Sequence, residues 1–177
     1  MPQAGSGRLK EFDLRERTAM VTGAGSGLGR SFALALASAC AYVYCADKDT
    51  EGAEETATFI QFLSGQACGI PTDVASETSV ATMVDTIAGS GARVDILVNN
   101  AGIATVPART HKVTIEDWDR LLGVNLRGTL LVTRSVLSIM LWGNRGTIIN
   151  IASVIWLIGA YPGFAMTGYL MPLPRLR

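Results

Sequence analysis

The sequence predicts an α/β fold: a doubly wound parallel sheet covered by helices on both faces, in three α/β/α layers. Short apolar runs alternate with longer stretches of helical character, which is the pattern of βαβ units. Each apolar run is bounded by Gly, Pro, Asn or Asp, and a glycine-rich string separates the first run from the first helical stretch. Strands are expected over residues 18–22, 41–47, 68–74, 94–100 and 146–153. Helices are expected over 28–39, 50–63, 76–87 and 115–141, the last broken near Gly123 or Gly128. Right-handed crossovers then put the first strand in the middle, in the order 3-2-1-4-5, with the ligand crevice at the switch point beside it.

The chain has 177 residues, 49% hydrophobic and 17% charged, enough for one domain with a sizeable core. Fifteen basic and fifteen acidic residues cancel and no basic block occurs. Nucleic acid and an anionic membrane surface are therefore not expected partners, and small-molecule chemistry is favoured. Cys40, Cys45 and Cys68 are an odd number without metal-ligand spacing, which fits free thiols in a reducing cytoplasm. Residues 1–13 read as a polar, flexible lead-in without the apolar segment of a secretory signal. The longest apolar run, 154–166, is interrupted by Gly159, Pro162 and Gly163 and is too short to cross a bilayer, so no membrane span is expected. The domain is expected over 14–164, followed by an irregular tail over 165–177, with no internal repeat.

The string T-G-A-G-S-G-L-G at residues 22–29 follows an apolar strand and opens an amphipathic helix, the context of a Rossmann-like dinucleotide-binding turn. Gly23 permits the tight turn, Gly27 lets backbone N–H groups approach a pyrophosphate, and Gly29 lets helix and strand pack closely. Ser26 and Leu28 belong to the same cradle, and the helix N-terminus supplies a positive field. Asp47, 24 residues after Gly23, ends the second strand where a carboxylate accepts hydrogen bonds from the adenine-ribose hydroxyls. NAD is the expected cofactor; NADP is disfavoured because Ser26 offers no guanidinium, although Lys48 and Arg30 lie nearby. Asp73 and Val74, expected to close the third strand, place a carboxylate and an N–H near the adenine. Asn100, Ala101 and Gly102 close the fourth with small residues that leave room for the cofactor.

These residues resemble the short-chain dehydrogenase/reductase family: T-G-x-x-x-G-x-G at 22–29, the acidic Asp47, Asp73, and N-N-A-G at 99–102. The resemblance continues through V-N-L at 124–126 and G-T-I-I-N-I-A-S at 146–153 and covers roughly residues 14–164. It implies a nicotinamide-dependent oxidoreductase that moves hydride between the cofactor and a carbonyl or secondary alcohol. By the same resemblance, Asn125 holds a water in a proton relay and Ser153 hydrogen-bonds the substrate oxygen. It also implies a long helix over 115–141 that packs against a second subunit.

One part of the family pattern is absent. A Tyr-x-x-x-Lys pair sets both side chains on one helix face, so that the ammonium lowers the phenol's pKa. The lysines here are Lys10, Lys48 and Lys112, and none follows Ser153. Tyr161 and Tyr169 are followed four residues later by Ala165 and Leu173, and Pro172 and Pro174 oppose a helix. The tail L-M-P-L-P-R-L-R, written in codons as CTT ATG CCG CTT CCA AGG CTG CG, reads from the last base of the leucine codon as Tyr-Ala-Ala-Ser-Lys-Ala-Ala. This suggests a frameshift or alternative exon junction between about Phe164 and Leu170, with the later strands of the family's sheet missing. The alternative is a catalytically silent nucleotide-binding fragment or a defective product. His111 reads as a solvated loop residue, and Trp118 as a core or subunit contact. Sequencing the coding DNA is expected to show a long offset frame downstream of Leu170; an offset frame that closes at once removes the frameshift.

Overall fold

The structure, a computed structural model, describes residues 13–104 and 110–152. Thr18–Thr22 forms β1, almost wholly buried, and its side chains alternate between two cores with the period of an extended backbone. Ala19 and Val21 face one core and Met20 the other. On either side of β1 run β2 (Tyr42–Asp47) and β4 (Ile96–Asn99), then β3 (Gln66–Pro71) and β5 (Thr147–Asn150). All pairings are parallel, in the order β3-β2-β1-β4-β5 expected from sequence.

Helices α1 (Gly27–Ser38) and α2 (Thr50–Phe62) cover the Ala19/Val21 face through Ala33, Ala37, Ala57 and Ile60. The Met20 face is covered by α3 (Glu77–Gly89), through Val80, Met83 and Ile87, and by the long fourth helical segment. That segment comprises α4 (Ile115–Leu122), a π-helical turn over Gly123–Gly128, and α5 (Thr129–Trp142). The expected break at Gly123 or Gly128 is thus a widened turn bounded by both glycines, and the helix continues through it. By length and composition Ile115–Trp142 could cross a membrane. Its Leu121, Leu131, Val132, Val136 and Met140 are buried, four of them within the sheet's core, while Leu126, Leu130, Leu137, Leu141 and Trp142 are exposed.

The ends of several elements differ from expectation for local reasons. The third strand starts at Gln66, which pairs with Tyr42, and stops at Pro71. Asp73 and Val74 therefore lie beyond it, in a turn closed by the Asp73 carboxylate accepting the Ala75 N–H at 2.9 Å. Ala41 donates its N–H back to Leu36 at 3.1 Å and so belongs to the turn before β2. The fourth strand ends at Asn99 because the Asn100 N–H goes to the Thr22 hydroxyl at 3.0 Å.

At the opposite end of the sheet, buried Asp95 accepts the Thr18 N–H at 2.9 Å and pairs with Arg145 at 2.6 Å and Arg17 at 3.5 Å. This carboxylate sets the stagger of β1, β4 and β5 against one another. Beside α1, an apolar groove of about 410 Å³ runs between Leu14, Phe32, Leu36, Val98, Ile149 and Ile151. Ile148 packs on the other core, whereas Ile149 and Ile151 are partly exposed; Val154 lies outside the described residues.

Cys40, Cys45 and Cys68 form no disulfide among the described residues. Burial, helped by the nearby Cys68, pushes the Cys45 thiol up to about 12, and burial also raises Tyr42. A thiol whose pKa rises on folding stabilises the protein fully below its unfolded pKa of about 8.5 and loses that contribution as pH rises further. The melting temperature is therefore expected to fall as pH rises above about 9, and Cys45→Ala to flatten part of that fall. A pH series of thermal melts on both proteins checks this.

Candidate functional site

The switch point lies at the carboxyl end of β1, where β2 leaves to one side and β4 to the other. The turn after β1 uses a left-handed backbone at Gly23 (φ +66°) and Gly27 (φ +53°), which side chains resist. Gly29 answers a different need. A Cβ there would collide with the Gly23 carbonyl and lie 2.5 Å from the Asn100 amide nitrogen. Only a hydrogen lets α1 start this close to β1.

The carbonyls of the turn are all taken. Asn100 Nδ2 donates to Thr22 O at 2.9 Å and Gly23 O at 3.2 Å. The Thr56 hydroxyl, wholly buried on α2, lies 2.9 Å from Ala24 O, and Arg30 Nη2 donates to Gly25 O at 2.5 Å. The Thr22 hydroxyl in turn accepts the N–H groups of Asn100 and Ala101, both at 3.0 Å. With the carbonyls held inward, the N–H groups at the start of α1 remain. The first helical bond runs from Arg30 N–H to Ser26 O at 3.1 Å, and Ser26 makes no side-chain cap. By contrast α2, α3 and α4 are capped by Asp49, Ser76 and Thr114. Ser26, Gly27 and Leu28 are exposed at this uncapped end.

Asp47 stands beside the turn at the end of β2. Its Oδ2 accepts the Gly25 N–H at 2.8 Å and its Oδ1 the Asp49 N–H at 3.0 Å. Each carboxylate oxygen keeps acceptor capacity on the side facing away from those donors. Gly25 also has no room for a side chain, since a Cβ would lie 3.0 Å from Asp47 Oδ2 and 3.2 Å from the backbone of Gly52. Lys48 is exposed.

The opposite wall comes from the loops after β3 and β4. Val74 is buried against the π-helical turn, where a Cβ on Gly128 would sit 2.9 Å from its side chain. Asp73 is exposed on this loop, and Arg127 clips the loop by donating to Ala75 O at 2.9 Å. After β4, Asn125 binds the backbone of Ile103 twice: Oδ1 accepts its N–H at 2.8 Å and Nδ2 donates to its carbonyl at 2.9 Å. Gly102 lies against this latch, 3.4 Å from Asn125 Oδ1 for a built Cβ. Asn99 donates to Asn150 Oδ1 at 2.8 Å and Thr133 Oγ1 at 2.9 Å, fastening β4 to β5 and α5. Ser153, Tyr161 and Tyr169 lie outside the described residues; His111 is exposed and Trp118 half-buried.

The sequence-selected residues from the turn, Asp47, the 73–74 loop, 100–102 and Asn125 thus surround one crevice. Two contributors were missed: Thr56, and the part Arg30 plays in binding the turn. Their signal was a small-residue face on α2, Gly52 and Thr56 one turn apart, in a helix otherwise rich in Glu and Ala. Gly29→Ala is expected to force the first turn of α1 off β1. A protein that still melts cooperatively should lose dinucleotide binding by at least about tenfold in a calorimetric titration.

The sequence matches the short chain dehydrogenase family over residues 17–170. It is 39% identical over 143 residues to D-threitol dehydrogenase from Mycolicibacterium smegmatis, covering 81% of this chain and 55% of that protein. It is 34% identical over 144 residues to glucose 1-dehydrogenase 2 from Bacillus subtilis, covering 80% of this chain and 56% of the relative. Among solved structures, a proposed gluconate dehydrogenase from Agrobacterium tumefaciens superposes with a TM-score of 0.83 at 31% identity, over 89% of this chain and 62% of that one. The chain therefore spans little more than half the length of these relatives. With the sheet order, the glycine turn and the sequence match in agreement, this chain belongs to the short chain dehydrogenase family.

Proposed function

We propose that this chain forms the cofactor-binding part of an NAD-dependent oxidoreductase acting on a carbonyl or secondary alcohol. The observation that carries the reading is the uncapped start of α1. Its N–H groups point out of a turn whose carbonyls are all bound elsewhere, which is a donor set for a pyrophosphate. Gly27 has no heavy atom within 4 Å of a built Cβ, so the cradle has room for the phosphates. Asp47 then receives the adenine-ribose hydroxyls and repels a 2′-phosphate, favouring NAD over NADP. Asp73 and Val74 flank the adenine, and Ala101 and Gly102 leave space along the cofactor.

When bound, the nicotinamide supplies or accepts the hydride. The carboxamide of Asn125 is occupied by Ile103, so holding a relay water falls to its main-chain carbonyl, which also takes the Thr129 hydroxyl at 3.0 Å. Ser153 is assigned the substrate oxygen by family position. Substrates of the polyol or sugar kind are suggested by the names of the relatives, D-threitol and glucose 1-dehydrogenases. A second copy is assigned to the exposed stripe Leu126, Leu130, Leu137 and Leu141, whose spacing of four, seven and four keeps it on one helix face.

A second reading, dinucleotide binding without turnover, is favoured by Ala165 and Leu173, which stand four residues after Tyr161 and Tyr169 where a lysine would complete the pair. Calorimetric titration with NAD and NADP, followed by hydride-transfer assays on a polyol and sugar panel, separates the two. Micromolar-range binding with NAD tighter is expected. Turnover supports the enzyme, binding alone supports the silent protein, and no binding to either nucleotide overturns both. Light scattering on the same samples should give twice the chain mass if the leucine stripe is a subunit interface.

A further inference from the structure

We propose that Arg30 is a positioning residue that sets the preference for NAD over its 2′-phosphorylated form, an inference that rests on the dinucleotide reading above. Arg30 follows the last glycine of the turn, and its guanidinium joins three elements. Nη2 donates to Gly25 O at 2.5 Å, with Gly52 O at 3.5 Å and Glu55 Oε2 at 3.1 Å also in reach. Nε donates to the buried Thr56 hydroxyl at 2.9 Å. That hydroxyl has one proton to give and lies 2.9 Å from both Ala24 O and Gly52 O.

Gly25 is consequently held through both of its flanking peptides, its carbonyl by Arg30 and its N–H by Asp47 Oδ2 at 2.8 Å. Fixing this residue between its two peptides aims the Asp47 carboxylate. One oxygen is tied to Gly25 and the other to Asp49, so its free acceptor sites face a single direction. Only an aimed carboxylate can receive both hydroxyls of one ribose, and only an aimed one opposes a 2′-phosphate at close range. Nε and Nη2 are engaged by a hydroxyl, carbonyls and Glu55, which holds the guanidinium against the turn and α2. A lysine in its place cannot substitute fully, because one ammonium cannot span Gly25 O and Thr56 Oγ1 as a planar fork does.

The test is calorimetric titration of the full chain with NAD and with NADP, with parallel thermal melts, for wild type, Arg30→Ala and Arg30→Lys. Arg30→Ala should weaken NAD binding about tenfold and change NADP binding by less than about twofold. The preference then collapses while the melting curve stays cooperative. Arg30→Lys, which keeps the stem and the charge, should shift the ratio the same way by a smaller factor, and it decides alone if Arg30→Ala does not fold. Equal losses for both nucleotides, or an unchanged ratio, would overturn the proposal and leave Arg30 as a brace between helices. Wild type that binds neither nucleotide overturns the dinucleotide reading, and this inference with it.

Discussion

Everything at the crevice depends on where the carbonyl oxygens of the glycine turn point. A peptide's N–H and C=O point in opposite directions, so a turn that offers N–H groups to an anion must bury its carbonyls against something. Here four successive carbonyls, from Thr22 to Gly25, are bound by side chains from outside the turn itself: Asn100 beyond β4, Thr56 on α2 and Arg30 on α1. Arg30 comes from the adjoining segment, but Asn100 and Thr56 do not. Strand β4 must lie on one side of β1 to bring Asn100, and β2 on the other to bring Asp47 and α2. The doubly wound order is thus a condition of the turn's shape as well as its frame.

The two cores flanking the sheet differ in size, and this decides how close each helix comes. On the α1 and α2 side the packed residues are mostly small: Ala19, Ala24, Ala33, Ala37, Ala57 and Ala67, with Val43 and Cys45. Small side chains let α1 lie close to β1, which brings Gly29 onto the Gly23 carbonyl. On the other face the larger Met20, Met83, Ile87, Leu97, Leu131 and Met140 lie between the sheet and α3 and α5. The tight face carries the glycine turn, and the other face carries the larger side chains.

The strand order and the glycine turn were legible because both are written locally, in apolar runs and in one string of eight residues. The misplaced ends have local causes that composition conceals. Gln66 is a polar residue pairing on the outermost strand, and Asp73 bends the chain with its own carboxylate. The partners of the turn were harder to see. Arg30 and Thr56 meet across 26 positions, and the small-residue face of Gly52 and Thr56 does not by itself name its partner. The carboxamide of Asn125 closes on Ile103, and its sequence position could not tell this from a carboxamide facing a water.

The π-helical turn links these observations to the far wall of the crevice. A π turn fits one more residue into the helical cycle than an α turn does, so side chains on either side of it are rotated relative to a regular helix. At Gly123–Gly128 this rotation lets one short stretch hold two loops at once. Asn125 latches the loop after β4, while Gly128 and Arg127 receive the loop after β3 through Val74 and Ala75. A regular helix turns each residue about 100° from the last, and it would not aim Asn125 at one loop while pressing Gly128 on the other in the same register. The glycine at its end is required by contact, since a Cβ on Gly128 would meet Val74 at 2.9 Å. The crevice is therefore fixed by two backbone irregularities on opposite sides, the left-handed glycines after β1 and the widened turn before α5, each held by side chains reaching in from other elements.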